Sequence, residues 1–160
     1  MQSAASASRD VVILVVEDNP DVLEATAYLI EAAFGYSVLT ASTCVDALSI
    51  IDGGRRVDLL FSDVVLPGKD GLTLARLAQQ RIPHLPVVLM TGWDDEIDAI
   101  VERGYVALLK PYSVERLAAV FRESLWKPQQ RTVEEDDSTA SMLARPQPAA
   151  QAKPWQDNLG

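Results

Sequence analysis

One cysteine and one histidine are all this 160-residue chain has of the two side chains most used in metal and redox chemistry. Cys44 alone cannot close an internal disulfide, which fits a reducing cytoplasm. Together with His84 it is also too little for a zinc site or a Cys-His dyad. Basic residues are scarce: 14 Lys+Arg face 23 Asp+Glu, for a net charge of -9. Such a balance repels phosphate backbones and anionic lipid, so neither nucleic acid nor a membrane surface is an expected partner. Long apolar runs are missing too. The longest, Val11 to Val16, falls far short of the ~20 residues that cross a bilayer. The opening MQSAASASRD has no apolar stretch and is not read as a signal peptide.

What is present is enough for a core, since 48% of the residues are hydrophobic. They are unevenly spread. From Lys127 onward the chain holds four of the nine prolines, five glutamines and no apolar periodicity. Residues 127–160 are therefore expected to be a disordered tail, and the Ser/Ala-rich residues 1–9 a disordered arm. The tail's four basic and five acidic residues nearly cancel, so the acidity belongs to the domain expected over 10–126.

Within that domain five short apolar runs alternate with helical patterns. VVILVV (11–16) is apolar throughout, as suits a strand buried on both faces. A helix over 20–34 follows, with Val22, Leu23, Thr26, Ala27, Ile30 and Phe34 on one side and Gly35 as its stop. Strands are expected at 36–41, 57–62, 86–91 and 105–109. Helices are expected at 43–52, from Leu72 through Ala78, near 94–103, and at 113–126, where Val114, Leu117, Ala118, Phe121 and Leu125 share a face. The repeat predicts an α/β fold: a doubly wound five-stranded parallel sheet with helices on both faces. Such sheets bind ligands beyond the carboxyl ends of their strands. The residues there are Glu17 and Asp18, Asp63, Thr91 and Lys110. Three carboxylates converging with one ammonium suit a hard divalent cation such as Mg²⁺ and a phosphoryl group, and the cation would relieve repulsion among the carboxylates. An ionised aspartate beside it could act as a nucleophile on phosphorus.

VVILVVEDNPDV, DLLFSDVVLPGKDGL, VVLMTG and LLKPY, in this order at successive strand ends, resemble the CheY-like receiver domain of bacterial two-component response regulators. The resemblance spans essentially all of 10–126 and implies the flavodoxin-like strand order 2-1-3-4-5. It further implies Asp63 as phosphoacceptor, with Mg²⁺ held by Asp18, Asp63 and the backbone carbonyl of Val65, and Glu17 acting through a water. Thr91 would hydrogen-bond the phosphoryl oxygens, Lys110 would neutralise them, and Lys110-Pro111 would be cis. The donor would be a histidine kinase or histidine phosphotransfer protein, docking by analogy on Val22, Leu23 and Thr26 and on the Pro111-Tyr112 turn. The receiver would switch the binding of an unknown downstream protein rather than act as an enzyme.

Two features depart from the family pattern. Ala107 stands where receivers usually carry a switch aromatic, and the stretch between Thr91 and Lys110 is short enough to suggest a trimmed fourth helix. LMTGW with LLKPY resembles the stand-alone "FAT GUY" receivers, which also lack that aromatic, and Trp93 is the candidate to tune the phosphosite in its place. Two alternatives stay open. A phosphorylation-independent pseudo-receiver scaffold would suit the missing aromatic. An aspartate-nucleophile phosphatase would need a second aspartate where Val65 stands, and a cap domain that no insertion here is long enough to form.

Overall fold

The computed structural model of the chain describes residues 10–125. The expected arm and tail lie outside these residues, as does Trp126, the last residue of the helix expected at 113–126. Each apolar run forms a strand and each amphipathic run a helix: β1 (Val12–Val16), α1 (Pro20–Phe34), β2 (Ser37–Ala41), α2 (Cys44–Asp52), β3 (Leu59–Asp63), α3 (Gly71–Arg81), β4 (Val87–Thr91), a 3₁₀ turn (Asp94–Glu96) leading into α4 (Ile97–Glu102), β5 (Val106–Leu109) and α5 (Val114–Leu125). The strands are parallel and lie in the order β2-β1-β3-β4-β5.

Burial on both faces explains why the central strands are apolar until their carboxyl ends, where Ser62, Asp63 and Thr91 stand. In β1, Ile13 and Val15 pack with Ile30 of α1 and Leu117, Val120 and Phe121 of α5. Leu14 and Val16 face the other way, into a cluster with Ala47 and Ile51 of α2, Leu74, Ala75 and Ala78 of α3, and Ile100 of α4. Phe61 closes the first cluster, its ring edge-on to Phe121 at 5.2 Å and to Tyr112 at 6.2 Å.

The helix starts explain how the chain turns at the sheet's carboxyl edge. Asn19 caps α1, its Oδ1 accepting from the amides of Asp21 (2.9 Å) and Val22 (3.2 Å), with Pro20 pre-set as the first helical residue. Asp70 caps α3 by accepting from the Thr73 amide at 2.8 Å. Thr43 and Ser113 do the same for α2 and α5.

Beyond shifts of a residue at several element ends, three features differ from the sequence expectation. β3 starts two residues later than 57 and includes Asp63, although Val57 is still buried ahead of it. The acidic stretch expected as one helix near 94–103 divides into the 3₁₀ turn and a six-residue α4 in which Ile100 is the buried residue. Val114 is exposed rather than on the inward stripe of α5, because it is the first residue of a helix whose buried positions begin at Leu117.

Gly71 locks the loop after β3 against α3. Its amide donates to the Val64 carbonyl at 2.7 Å, and a Cβ here would press on the Asp63 carbonyl oxygen and come within 2.9 Å of Val64 Cα. Both obstacles are backbone and cannot rotate away. Gly71→Ala is expected to lower stability by about 2 kcal/mol, the usual scale of overpacking, read as a lower urea midpoint. An unchanged midpoint would contradict this packing.

Candidate functional site

The sheet's hydrogen-bond ladder continues past the strands and fixes the backbone of the candidate residues. The amide of Glu17 donates to the Ala41 carbonyl (3.1 Å), that of Val64 to Met90 (2.9 Å) and that of Lys110 to Thr91 (2.8 Å). Asp63, the last residue of β3, is additionally framed by Ser62, whose buried hydroxyl donates to the Asp63 carbonyl at 2.9 Å. Side chains held this way need little ordering when they meet a ligand.

One carboxylate oxygen from each of Glu17, Asp18 and Asp63 lies within 4.8 Å of the others. Asp18 is exposed, whereas Glu17 and Asp63 are 5% and 8% exposed. Lys110 reaches in from beyond β5, its Nζ 3.4 Å from Asp63 Oδ2 and 3.9 Å from Glu17 Oε1. Glu17 Oε2 accepts from the Asn19 amide at 3.1 Å, but Oε1 is buried without a hydrogen-bond partner. A buried carboxylate oxygen with no donor, beside two more carboxylates, fits a cation that takes oxygen ligands.

Burial pushes the Asp63 carboxyl above its ordinary pKa, against the opposing pull of the Lys110 ammonium. Glu17 is pushed up in the same way, mainly by burial, with the Asn19 amide opposing and Asp63 adding to the rise. Lys110 therefore offsets only part of the cost of keeping both groups ionised.

Thr91 ends β4 and is 1% exposed. It continues the alternation Val87, Leu89, so it stands on the sheet face that carries α4. Its Oγ1 donates to Glu96 Oε1 at 2.5 Å and accepts from the Trp93 amide at 3.1 Å.

The family described as the response regulator receiver domain matches residues 13–122. The chain belongs to this family. It is a receiver domain homologous to two-component response regulators. It is 34% identical over 118 residues to the nitrogen assimilation regulatory protein NtrX of Azorhizobium caulinodans, covering 71% of this chain and 26% of that protein. It is 31% identical over 133 residues to the sensor kinase CckA of Brucella abortus, covering 79% of this chain and 14% of that one. The crystal structure of a response regulator receiver domain protein from Clostridium thermocellum superposes with a TM-score of 0.70 at 25% identity, covering 75% of this chain and 98% of that one. The receiver thus spans only a minor part of these two curated relatives.

The receiver brings Glu17, Asp18, Asp63 and Lys110 together as their strand-end positions implied, with Thr91 at the neighbouring strand end. Val65 lies two residues beyond Asp63, exposed between the buried Val64 and Leu66, and the Lys110-Pro111 bond is cis. Ala107 packs into the cluster under α2, α3 and α4, with no ring to rotate. Trp93 is 63% exposed beside Thr91, tied to it through its backbone amide.

The docking expectation needs one correction. Val22 is exposed and Leu23 partly so, but Thr26 is buried, one turn before the buried Ile30 on the inward side of α1. Thr26 therefore faces inward and offers the donor little surface. Tyr112 is only half-exposed, its ring packed on Phe61 and its hydroxyl 3.8 Å from Met90 Sδ. Glu96 was not legible as a site residue. It sits in an acidic run, and only the curl of the 3₁₀ turn carries it back to Thr91.

Asp63 yields a stability prediction whose sign follows from its raised pKa. Between the unfolded and folded pKa values the native protein binds more protons, so this group's contribution falls as pH rises through that window. At neutral pH ionised Asp63 opposes folding. Without divalent cations, Asp63→Asn should raise Tm by a few degrees at about pH 7.5, and the gain should shrink toward about pH 4. Thermal circular dichroism at the two pH values checks this; a Tm lowered at neutral pH would contradict it.

Proposed function

We propose that this receiver accepts a phosphoryl group on Asp63 from a histidine kinase or histidine phosphotransfer protein, with Mg²⁺ as cofactor, and that the modified face then binds a downstream protein. The observation that carries this reading is the meeting of Glu17, Asp18 and Asp63 within 4.8 Å, with Lys110 3.4 Å from Asp63. A carboxylate nucleophile, a cation site and a fixed ammonium are what phosphoryl transfer needs, since its catalysis is mostly positioning and charge stabilisation.

Asp63 would attack phosphorus through a carboxylate oxygen. The bond from phosphorus to the donor imidazole nitrogen breaks, its electron pair stays on that nitrogen, and the nitrogen takes up a proton. Asp18, Asp63 and the Val65 carbonyl would hold Mg²⁺, with Glu17 acting through a water. When bound, Mg²⁺ would neutralise charge on the phosphoryl oxygens and so lower the repulsion that the Asp63 carboxylate meets on approaching phosphorus. Lys110 stabilises the charge that builds on those oxygens, and Thr91 donates a hydrogen bond to one of them. The chemistry is done on the receiver itself, so we read the protein as a switch and not as an enzyme acting on a separate substrate. A reducing cytoplasm suits it, as the compartment of the proposed donors. Val22, Leu23 and the Pro111-Tyr112 turn form the donor's docking surface, and Trp93 tunes the lifetime of the phosphoryl group.

Intact mass after incubation with acetyl phosphate tests the chemistry. The wild type should gain one phosphoryl group in Mg²⁺ and little without it, and Asp63→Asn should gain none. In the same assay Lys110→Ala should react more slowly, and Trp93→Ala should change the rate at which the group is lost. Leu23→Glu should slow transfer from a histidine phosphotransfer protein while sparing acetyl phosphate. Equal modification of Asp63→Asn and wild type would overturn the assignment.

A further inference from the structure

Thr91 has a hydroxyl with one proton to give, and in this structure that proton is already given. A threonine hydroxyl donates one hydrogen bond and accepts others. Here the donor bond goes to Glu96 Oε1 at 2.5 Å, and the Trp93 amide fills an acceptor position at 3.1 Å. Thr91 is almost fully buried, so water cannot readily replace either partner. A phosphoryl group on Asp63 would therefore receive the Thr91 proton only if Glu96 released it. The two acceptors compete for one donor, and both are anionic.

Glu96 connects this competition to a segment with little else to hold it. It closes the 3₁₀ turn Asp94–Glu96 and precedes α4, whose start has no side-chain cap. α4 spans only Ile97–Glu102 and buries Ile100 alone. A helix of this length is far below what is stable without tertiary anchors. Ala107, on the same face of the sheet, offers no ring whose movement could carry a signal to α4.

We propose that Glu96 is a positioning residue of the phosphosite: its carboxylate holds the Thr91 hydroxyl in the unmodified receiver and yields it to the phosphoryl oxygens, releasing the turn and α4. The inference rests on the phosphoacceptor reading above and supplies a coupling that needs no aromatic at position 107. Phosphorylation adds close to two negative charges near a carboxylate that has just lost its donor, so repulsion drives Glu96 outward. Asp94, Asp95 and Asp98 flank it in the same segment and favour the same direction.

Hydrogen exchange of the full chain, followed by mass spectrometry over residues 93–103, tests the competition. In the unmodified protein Glu96→Ala should speed exchange of this segment on the order of tenfold, the effect of losing one charge-assisted hydrogen bond. Glu96→Gln keeps an acceptor oxygen and should restore most of the protection, a rescue that a merely bulky residue would not show. Over residues 96–103, which leave out the Trp93 amide that also loses its acceptor with Thr91, Thr91→Ala combined with Glu96→Ala should exchange no faster than Glu96→Ala alone, because at these amides both remove the same bond. Modification with acetyl phosphate and Mg²⁺ should speed exchange in wild type and add little in Glu96→Ala. Far-UV circular dichroism confirms that the variants fold; should Glu96→Ala not fold, Thr91→Ala alone takes its place and should likewise speed exchange of residues 96–103 on the order of tenfold. Wild-type protection in Glu96→Ala, or an equal response to phosphorylation with and without Glu96, would overturn the inference while leaving phosphorylation intact. Absence of any adduct on wild type would instead overturn the phosphoacceptor reading, and this inference with it.

Discussion

Glu17, Asp18 and Asp63 repel one another at the carboxyl edge of the sheet, and Lys110 relieves only part of that repulsion. The carboxylates' own interactions would not assemble such a group, because burial raises the pKa of both Glu17 and Asp63. The surrounding structure accounts for why they stay together. The ladder bonds of Glu17, Val64 and Lys110 place the backbone, and the apolar strands behind them supply the stabilisation. The site is thus a small electrostatic cost held in place by a large hydrophobic core. A divalent cation and a phosphoryl group are the ligands that turn this cost into binding energy.

A second constraint is stoichiometric. Thr91 has a single proton to donate, and it lies on the face of the sheet that carries α4, whereas Asp63 ends the neighbouring strand. That placement lets one hydroxyl answer to both the phosphosite and the helix beyond it. In receivers with a switch aromatic a ring can share this task; with Ala107 the proposed route runs through Glu96 and the turn before α4. Trp93 is fixed by its amide to the same hydroxyl.

Much of this was legible in the sequence for a simple reason. A parallel sheet buried on both faces requires uninterrupted apolar strands, and polar residues at their carboxyl ends then stand out, as Glu17, Asp18, Asp63, Thr91 and Lys110 do. What could not be read depends on how far elements overhang the core. Helical spacing put Thr26 and Val114 on apolar stripes, but spacing does not say that Thr26 sits over the sheet while Val114 projects beyond it. The acidic pattern after Trp93 reads as one solvated helix. The short α4 agrees with the trimmed fourth helix that the Thr91–Lys110 spacing suggested, but the 3₁₀ turn that brings Glu96 onto Thr91 follows from the path of the loop and not from any local propensity. The contact of Gly71 with the backbone of Asp63 and Val64 is likewise a tertiary fact.

The most direct test of the central claim is a carbon-13 NMR titration of the side-chain carboxyl groups of Glu17 and Asp63, with and without Mg²⁺. Without the cation both should titrate above the ordinary carboxyl range. With saturating Mg²⁺ their transitions should move down in pH, as a bound cation favours the ionised forms. Ordinary pKa values that do not respond to Mg²⁺ would contradict the account, because they would mean that the buried carboxylates neither repel one another nor hold a cation.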